Sequence, residues 1–157
     1  MLRFLSKLFF ISFLLNFTWE ISQMGFYSTL GMGDISDYWN FVLIHWQVSL
    51  KDALMVVLVC LAIGLIFRDL PWFKNINKKW ILLLALPIWQ AVIEYYSVYV
   101  YGRWGYAESM PLISGIGLLP ILQMLILPSI AILLSRGVFS DSCLRHVSAS
   151  APQHAVE

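Results

Sequence analysis

Apolar runs and short polar stretches alternate along the chain, and four of the runs are near the roughly 20 residues that a helix needs to cross a bilayer. The first, FLSKLFFISFLLNFTWEIS, covers 4–22. Arg3 and Lys7 stand at its start, as in a signal peptide, but no small-x-small cleavage site follows and the run continues into Asn16 and Trp19-Glu20. A retained first transmembrane helix is therefore expected. Residues 24–50 read as a long connection in which Gly25, Gly31 and Gly33 break any helix and Asp34 and Asp37 serve turns. Its aromatic part, Tyr38 to Phe41 and His45-Trp46-Gln47, fits a short amphipathic helix lying along the interface. The second run is DALMVVLVCLAIGLIF, 52–67, with Asp52 placed to cap its N-terminus and a start extended back towards Val48. A basic loop follows at 68–79. The third span is 80–101, with Pro87 as a kink. After a short loop at 102–110, the fourth span is 111–135, interrupted by Gly115, Gly117, Pro120 and Pro128. Irregular backbone at membrane depth is tolerated where it packs on protein or lines a cavity.

Composition agrees with this reading. Of 157 residues, 60% are hydrophobic and 12% charged, against about half and about a quarter in soluble domains. The predicted fold class is all-α: a polytopic membrane protein built as a four-transmembrane-helix bundle. Residues 1–136 form that domain, and 137–157 are a polar, disordered cytoplasmic tail. Seven Trp, seven Tyr and ten Phe suit interfacial aromatic belts. Arg3, Lys7, Arg68, Lys74, Lys78, Lys79, Arg136 and Arg145 fall at the N-terminus, in the middle loop and in the tail, whereas Lys51 and Arg103 fall in the other loops. The positive-inside rule then puts both termini and the middle loop in the cytoplasm, N-in/C-in. A net charge of +1 gives no argument for nucleic acid. The lipid bilayer is the expected partner, joined by a lipid or hydrophobic ligand, a membrane-protein partner or a second copy. Cys60 and Cys143 have neither metal-ligand spacing nor a setting that favours a disulfide. No phosphate loop, Ser-His-Asp order or zinc signature is present, so no metal and no cofactor are expected.

The candidate chemistry lies at one level of the membrane. Glu94 sits roughly 21 Å along the third span from Trp80, at about 1.5 Å per residue. Glu20 near the end of the first span, Asp52 at the start of the second, and Arg103, Tyr106 and Glu108 after the third reach the same outer side; His45 precedes the second span there too. Asn16, Glu20, Gln23 and Tyr27 are spaced four, three and four, and so are Gln90, Glu94, Ser97 and Tyr101. Each set makes one helical stripe, and polar stripes in a membrane bundle face inward. The candidate cluster is therefore Glu20, Gln23, Asp52, Glu94, Arg103 and Tyr106, with Arg103 as counter-ion to Glu94 or Glu20. Against this stand structural readings: Asp52 as a helix cap, His45 as an interfacial residue, Trp104 and Tyr106 as belt aromatics. Three functions fit. One is a pocket in the outer leaflet that binds a lipid or hydrophobic small molecule. The second is a membrane enzyme using an embedded carboxylic acid on an isoprenoid or lipid. The third is an accessory or assembly subunit of a membrane complex.

Several of these residues stand in motifs: Trp19-Glu20-x-x-Gln23 with Tyr27, Asp52 opening the second helix, Glu94, Gly102-Arg103-Trp104-x-Tyr106, Met110-Pro111 and Gly115-x-Gly117-x-x-Pro120-x-x-Gln123. In these the chain, up to about Arg136, resembles an uncharacterised family of small four-helix bacterial inner-membrane proteins. The resemblance implies fold and location and supplies no reaction. Members often carry a His-Cys pair and a Gly just before the Asp, where this chain has His45-Trp46 and Lys51-Asp52.

Overall fold

The structure is a computed structural model, and it describes residues 2–28, 38–74 and 77–136. Gly31, Gly33, Asp34, Asp37, Cys143 and the rest of the expected tail lie outside the described residues. Four α-helices organise the described residues: α1 (Leu2–Gln23), α2 (Tyr38–Ile66), α3 (Ala85–Tyr95) and α4 (Leu118–Ser135). A single 3-10 turn, Met24–Phe26, continues α1. A 3-10 stretch, Lys78–Leu84, leads into α3, and a π-helical turn, Tyr96–Val100, leads out of it. Leu2–Phe26, Val42–Ile66, Lys78–Val100 and Leu118–Ser135 are each long and apolar enough to cross a membrane.

Two boundaries differ from expectation. α2 begins at Tyr38, so the stretch expected to lie along the interface is its first part. The reason is periodic. His45, Ser49, Ala53, Val56 and Cys60 are all buried and recur every three or four residues, with no Gly or Pro to interrupt them. The Ser49 hydroxyl donates to the His45 carbonyl at 2.7 Å, so it does not compete with the helix. Asp52 consequently lies mid-helix, roughly 21 Å from Tyr38 at about 1.5 Å per residue; it is no N-terminal cap. α4 begins at Leu118 instead of 111, because 112–117 form a small hairpin. Leu112–Ile113 pairs with Ile116–Gly117, and Ser114 and Gly115 turn the chain with φ of 51° and 84°. Positive φ at both central residues is what a two-residue hairpin turn demands. Pro120 then falls in the first turn of α4, where its missing N–H costs nothing. Pro87 occupies the first turn of α3, at the switch from 3-10 to α winding.

α1 is central. It packs against α2 on one side and α4 on the other, and α3 packs on the far side of α4. The 3-10 stretch before α3 touches both α2 and α4, whereas α3 proper and α2 hardly meet. The bundle is thus closed at one end and parted at the other. The closed end holds the apolar core, with Leu8, Val56, Cys60, Trp72, Leu83 and Ile132 buried together. Phe4 stacks on Phe73 at 3.6 Å, and the Trp72 indole donates to the Cys60 carbonyl at 3.0 Å. Arg136 ends α4 by donating to the carbonyls of Phe73 and Lys74, each at 2.9 Å, with its guanidinium over Trp80. Lys79 pairs with Asp69. At the opposite end, loop 102–110 is tied back to α1: Ser28 N–H donates to the Gly105 carbonyl and Ala107 N–H to the Phe26 carbonyl, both at 2.9 Å, around a Tyr27–Tyr106 bridge.

Candidate functional site

The two polar stripes do face inward at the parted end. On α1 and just past its end, Asn16, Gln23 and Tyr27 are buried and Glu20 is half-buried; on α3 and the π turn after it, Glu94 is 2% exposed and Ser97 3%. The α3 stripe ends one residue early, since Tyr101 is 63% exposed. The π turn explains this. The Tyr101 N–H bonds the carbonyl of Tyr96, five residues back, at 2.9 Å, and the extra residue per turn rotates Tyr101 off the face.

Gln123, 1% exposed on α4, joins three helices. Its amide nitrogen donates to Asn16 Oδ1 at 2.8 Å and to Asp52 Oδ2 at 3.3 Å. Its carbonyl oxygen accepts from Gln23 Nε2 at 3.2 Å, and Gln23 in turn accepts from the Trp19 indole at 3.0 Å. Glu20 lies beside Gln23 and Gln123. A second set surrounds Glu94. Tyr106 OH donates to Oε2 at 2.7 Å, the Trp104 indole donates to the same oxygen at 3.2 Å, and Gln90 Nε2 donates to Oε1 at 3.3 Å. Loop 102–110 therefore brings Tyr106 and Trp104 onto Glu94 as hydrogen-bond donors.

Between the two sets lies a cavity of about 370 Å³. Glu20, Asp52 and Glu94, from three different helices, all line it. Its apolar wall includes Met55, Leu86, Trp89 and Met124. The exposed residues of its lining are Lys51 on α2, Trp89 and Ile93 on α3, and Arg103, so the mouth opens where α2 and α3 part. The volume falls in the range of small-molecule sites, about 300–1,000 Å³.

Most of the expected cluster is thus brought together, with two corrections. Arg103 lines the cavity but is not the counter-ion of Glu94 or Glu20. Its N–H donates to the Ser97 carbonyl at 2.8 Å and its guanidinium lies 5.0 Å from the centre of the Tyr101 ring. Neutral donors do what an ion pair was expected to do at Glu94. His45, expected at the interface, is buried and near enough to Glu20 to act on it electrostatically. Among the described residues, no three His, Cys, Asp or Glu side chains converge as a metal would need. In the sequence Gln123 stands out only as part of a motif, and Trp104 reads as a belt aromatic. An amide in an otherwise apolar span was the available signal for the first, because such a group is buried only with partners.

Burial pushes the Tyr27 hydroxyl well above its ordinary value, and the nearby carboxyls of Glu94 and Glu20 add to the shift. Tyr106 is raised as well, first by burial, with the hydrogen bond to Glu94 in the same direction. Both phenols therefore remain donors. An ultraviolet difference titration of the folded protein to pH about 11 should give the same phenolate amplitude for wild type and Tyr27→Phe. A smaller amplitude in the variant would mean that Tyr27 titrates normally. The linked stability is fully present below the unfolded tyrosine pKa, about 10, and is lost as pH rises beyond it.

Fold and cavity together define a helical protein with four helices long and apolar enough to cross a membrane among its described residues, and a polar chamber in one half of the bundle. Comparison with protein-family models, with curated proteins and with solved structures finds no match.

Proposed function

We propose that the chamber binds a lipid or another hydrophobic small molecule, from the outer leaflet of a bacterial inner membrane, with both termini in the cytoplasm. The observation that carries this is the placement of Glu20, Asp52 and Glu94 around one cavity whose mouth opens between α2 and α3. Carboxyls in an apolar bundle are costly and mark function when they surround a space. Had the stripes faced outward, a partner subunit would have been needed to cover them. Their inward placement supports a pocket complete within one chain.

The orientation rests on charge. Phe4 against Phe73, and Arg136 against Phe73 and Lys74, gather the N-terminus, the middle loop and the end of α4 at one end of the bundle. Arg3, Lys7, Arg68, Lys74, Lys78, Lys79 and Arg136 collect there, which favours the cytoplasmic face. In a background lacking Cys143, a cysteine at Ser109 should react with an impermeant thiol reagent in intact cells and one at Lys78 should not. The reverse pattern would place the chamber in the other leaflet.

The binding itself is tested by mass spectrometry of what co-purifies in mild detergent, wild type against Glu94→Gln at matched melting temperature. A defined hydrophobic molecule held by the wild type and lost in the variant is the expected result. Bulk lipid alone in both would sink the pocket reading. A stoichiometric partner protein would replace it with the accessory-subunit reading.

A further inference from the structure

The charged residues around the cavity are ordered by depth. Glu94 is buried, and Glu20 and Asp52 are half-buried, so the acids stand inside. Lys51 and Arg103 are exposed, so the bases stand at the mouth. The bases do not neutralise the acids by contact: Glu94 is held by Tyr106, Trp104 and Gln90, and Asp52 by Gln123. Ser97 adds an independent pointer. It is 3% exposed and lines the cavity, and among the described residues no side-chain partner holds its hydroxyl. Its hydroxyl borders a space large enough to supply a partner. The wall near the mouth is apolar, from Met55 on α2 to Trp89 and Ile93 on α3.

We infer that the cavity takes a lipid whose head group carries a terminal ammonium and a phosphate, ammonium inward and phosphate at the mouth, with its acyl chains leaving between α2 and α3. The ammonium is drawn to the cavity acids and supplies N–H donors to free carboxylate oxygens and to Ser97. The phosphate meets Lys51 and Arg103, and guanidinium and ammonium groups are its ordinary partners. A head group with phosphate but no cation would bring its charge to the bases while leaving the inner acids unmatched. A neutral polyol would leave the bases unmatched.

This rests on the reading that the chamber holds a membrane-derived molecule, and the test separates the two. The protein is reconstituted in nanodiscs of equal parts dioleoyl phosphatidylethanolamine and dioleoyl phosphatidylglycerol, then released into mild detergent. Retained lipid is counted by native mass spectrometry for wild type, Asp52→Asn, Lys51→Gln and Ile93→Trp. Wild type should retain the ethanolamine lipid over the glycerol lipid by at least about tenfold, a difference of about 1.4 kcal/mol. Asp52→Asn should reduce that ratio through the ammonium. Lys51→Gln, at an exposed position whose change leaves packing intact, should reduce it through the phosphate. Ile93→Trp should block the mouth and remove bound lipid of either kind. Equal retention, or a preference for the glycerol lipid, overturns the head-group assignment. The pocket reading survives that result if another defined molecule is lost with Glu94→Gln, and falls with it if nothing is.

Discussion

Replacing Gln123 with Leu should destabilise the bundle by about 2–4 kcal/mol, the largest loss expected from any single polar change in this chain. The substitution keeps the bulk of the side chain but removes a donor and an acceptor that serve three helices. Asn16 Oδ1 and Gln23 Nε2 each lose a partner, and so does Asp52 Oδ2. An orphaned buried group costs about 1–3 kcal/mol; hydrogen bonds inside membrane bundles average nearer 0.6 kcal/mol, which pulls the total down. The check is reversible unfolding in mixed micelles of mild and denaturing detergent, followed by tryptophan fluorescence. A shift below about 0.5 kcal/mol, the scale of a neutral change, would mean the hub is idle. Asn16→Leu in the same chain should add little to Gln123→Leu, because removing both partners of a bond is cheaper than stranding one.

The same residue shows how far the sequence could be read. The four long helices were legible because each apolar run comes near the length that crosses a membrane. The stripes on α1 and α3 were legible because polar residues at helical spacing must share a face. Asp52 was misread as a cap because hydropathy marks where a run becomes apolar, and α2 starts well before that, through the polar but inward-facing His45 and Ser49. Arg103 was misassigned for a different reason. Charge complementarity identifies opposite charges, but it cannot weigh Tyr106, Trp104 and Gln90, neutral donors that the folded loop and α3 deliver to Glu94 first. The position of Gln123 opposite Asn16 and Asp52 depends on how α4 rotates after the hairpin, and no local pattern encodes that rotation.

Gly117→Ala should loosen the Glu94 site from outside the cavity. A methyl group on Gly117 would stand 2.9 Å from Tyr106 Cε1 and 3.3 Å from its Cζ. Gly117 has φ of −56° and ψ of 125°, a conformation open to any residue. The cost is therefore one of space, and overpacking of this kind runs to about 1–3 kcal/mol. The Tyr106 ring has little room to yield. Its hydroxyl is held by Glu94 at 2.7 Å, and the Tyr27 ring lies 5.8 Å away, centre to centre. Displacing it lengthens the shortest hydrogen bond that Glu94 receives, so the variant should lose stability and, on the proposed pocket reading, the molecule held there. Double-mutant coupling isolates the cause. In a Tyr106→Leu background the ring is gone, and the penalty for Gly117→Ala should shrink by about 1 kcal/mol or more, the coupling expected of residues in contact. An unchanged penalty would mean that Gly117 serves the hairpin and α4 alone, and that Tyr106 holds Glu94 without its help.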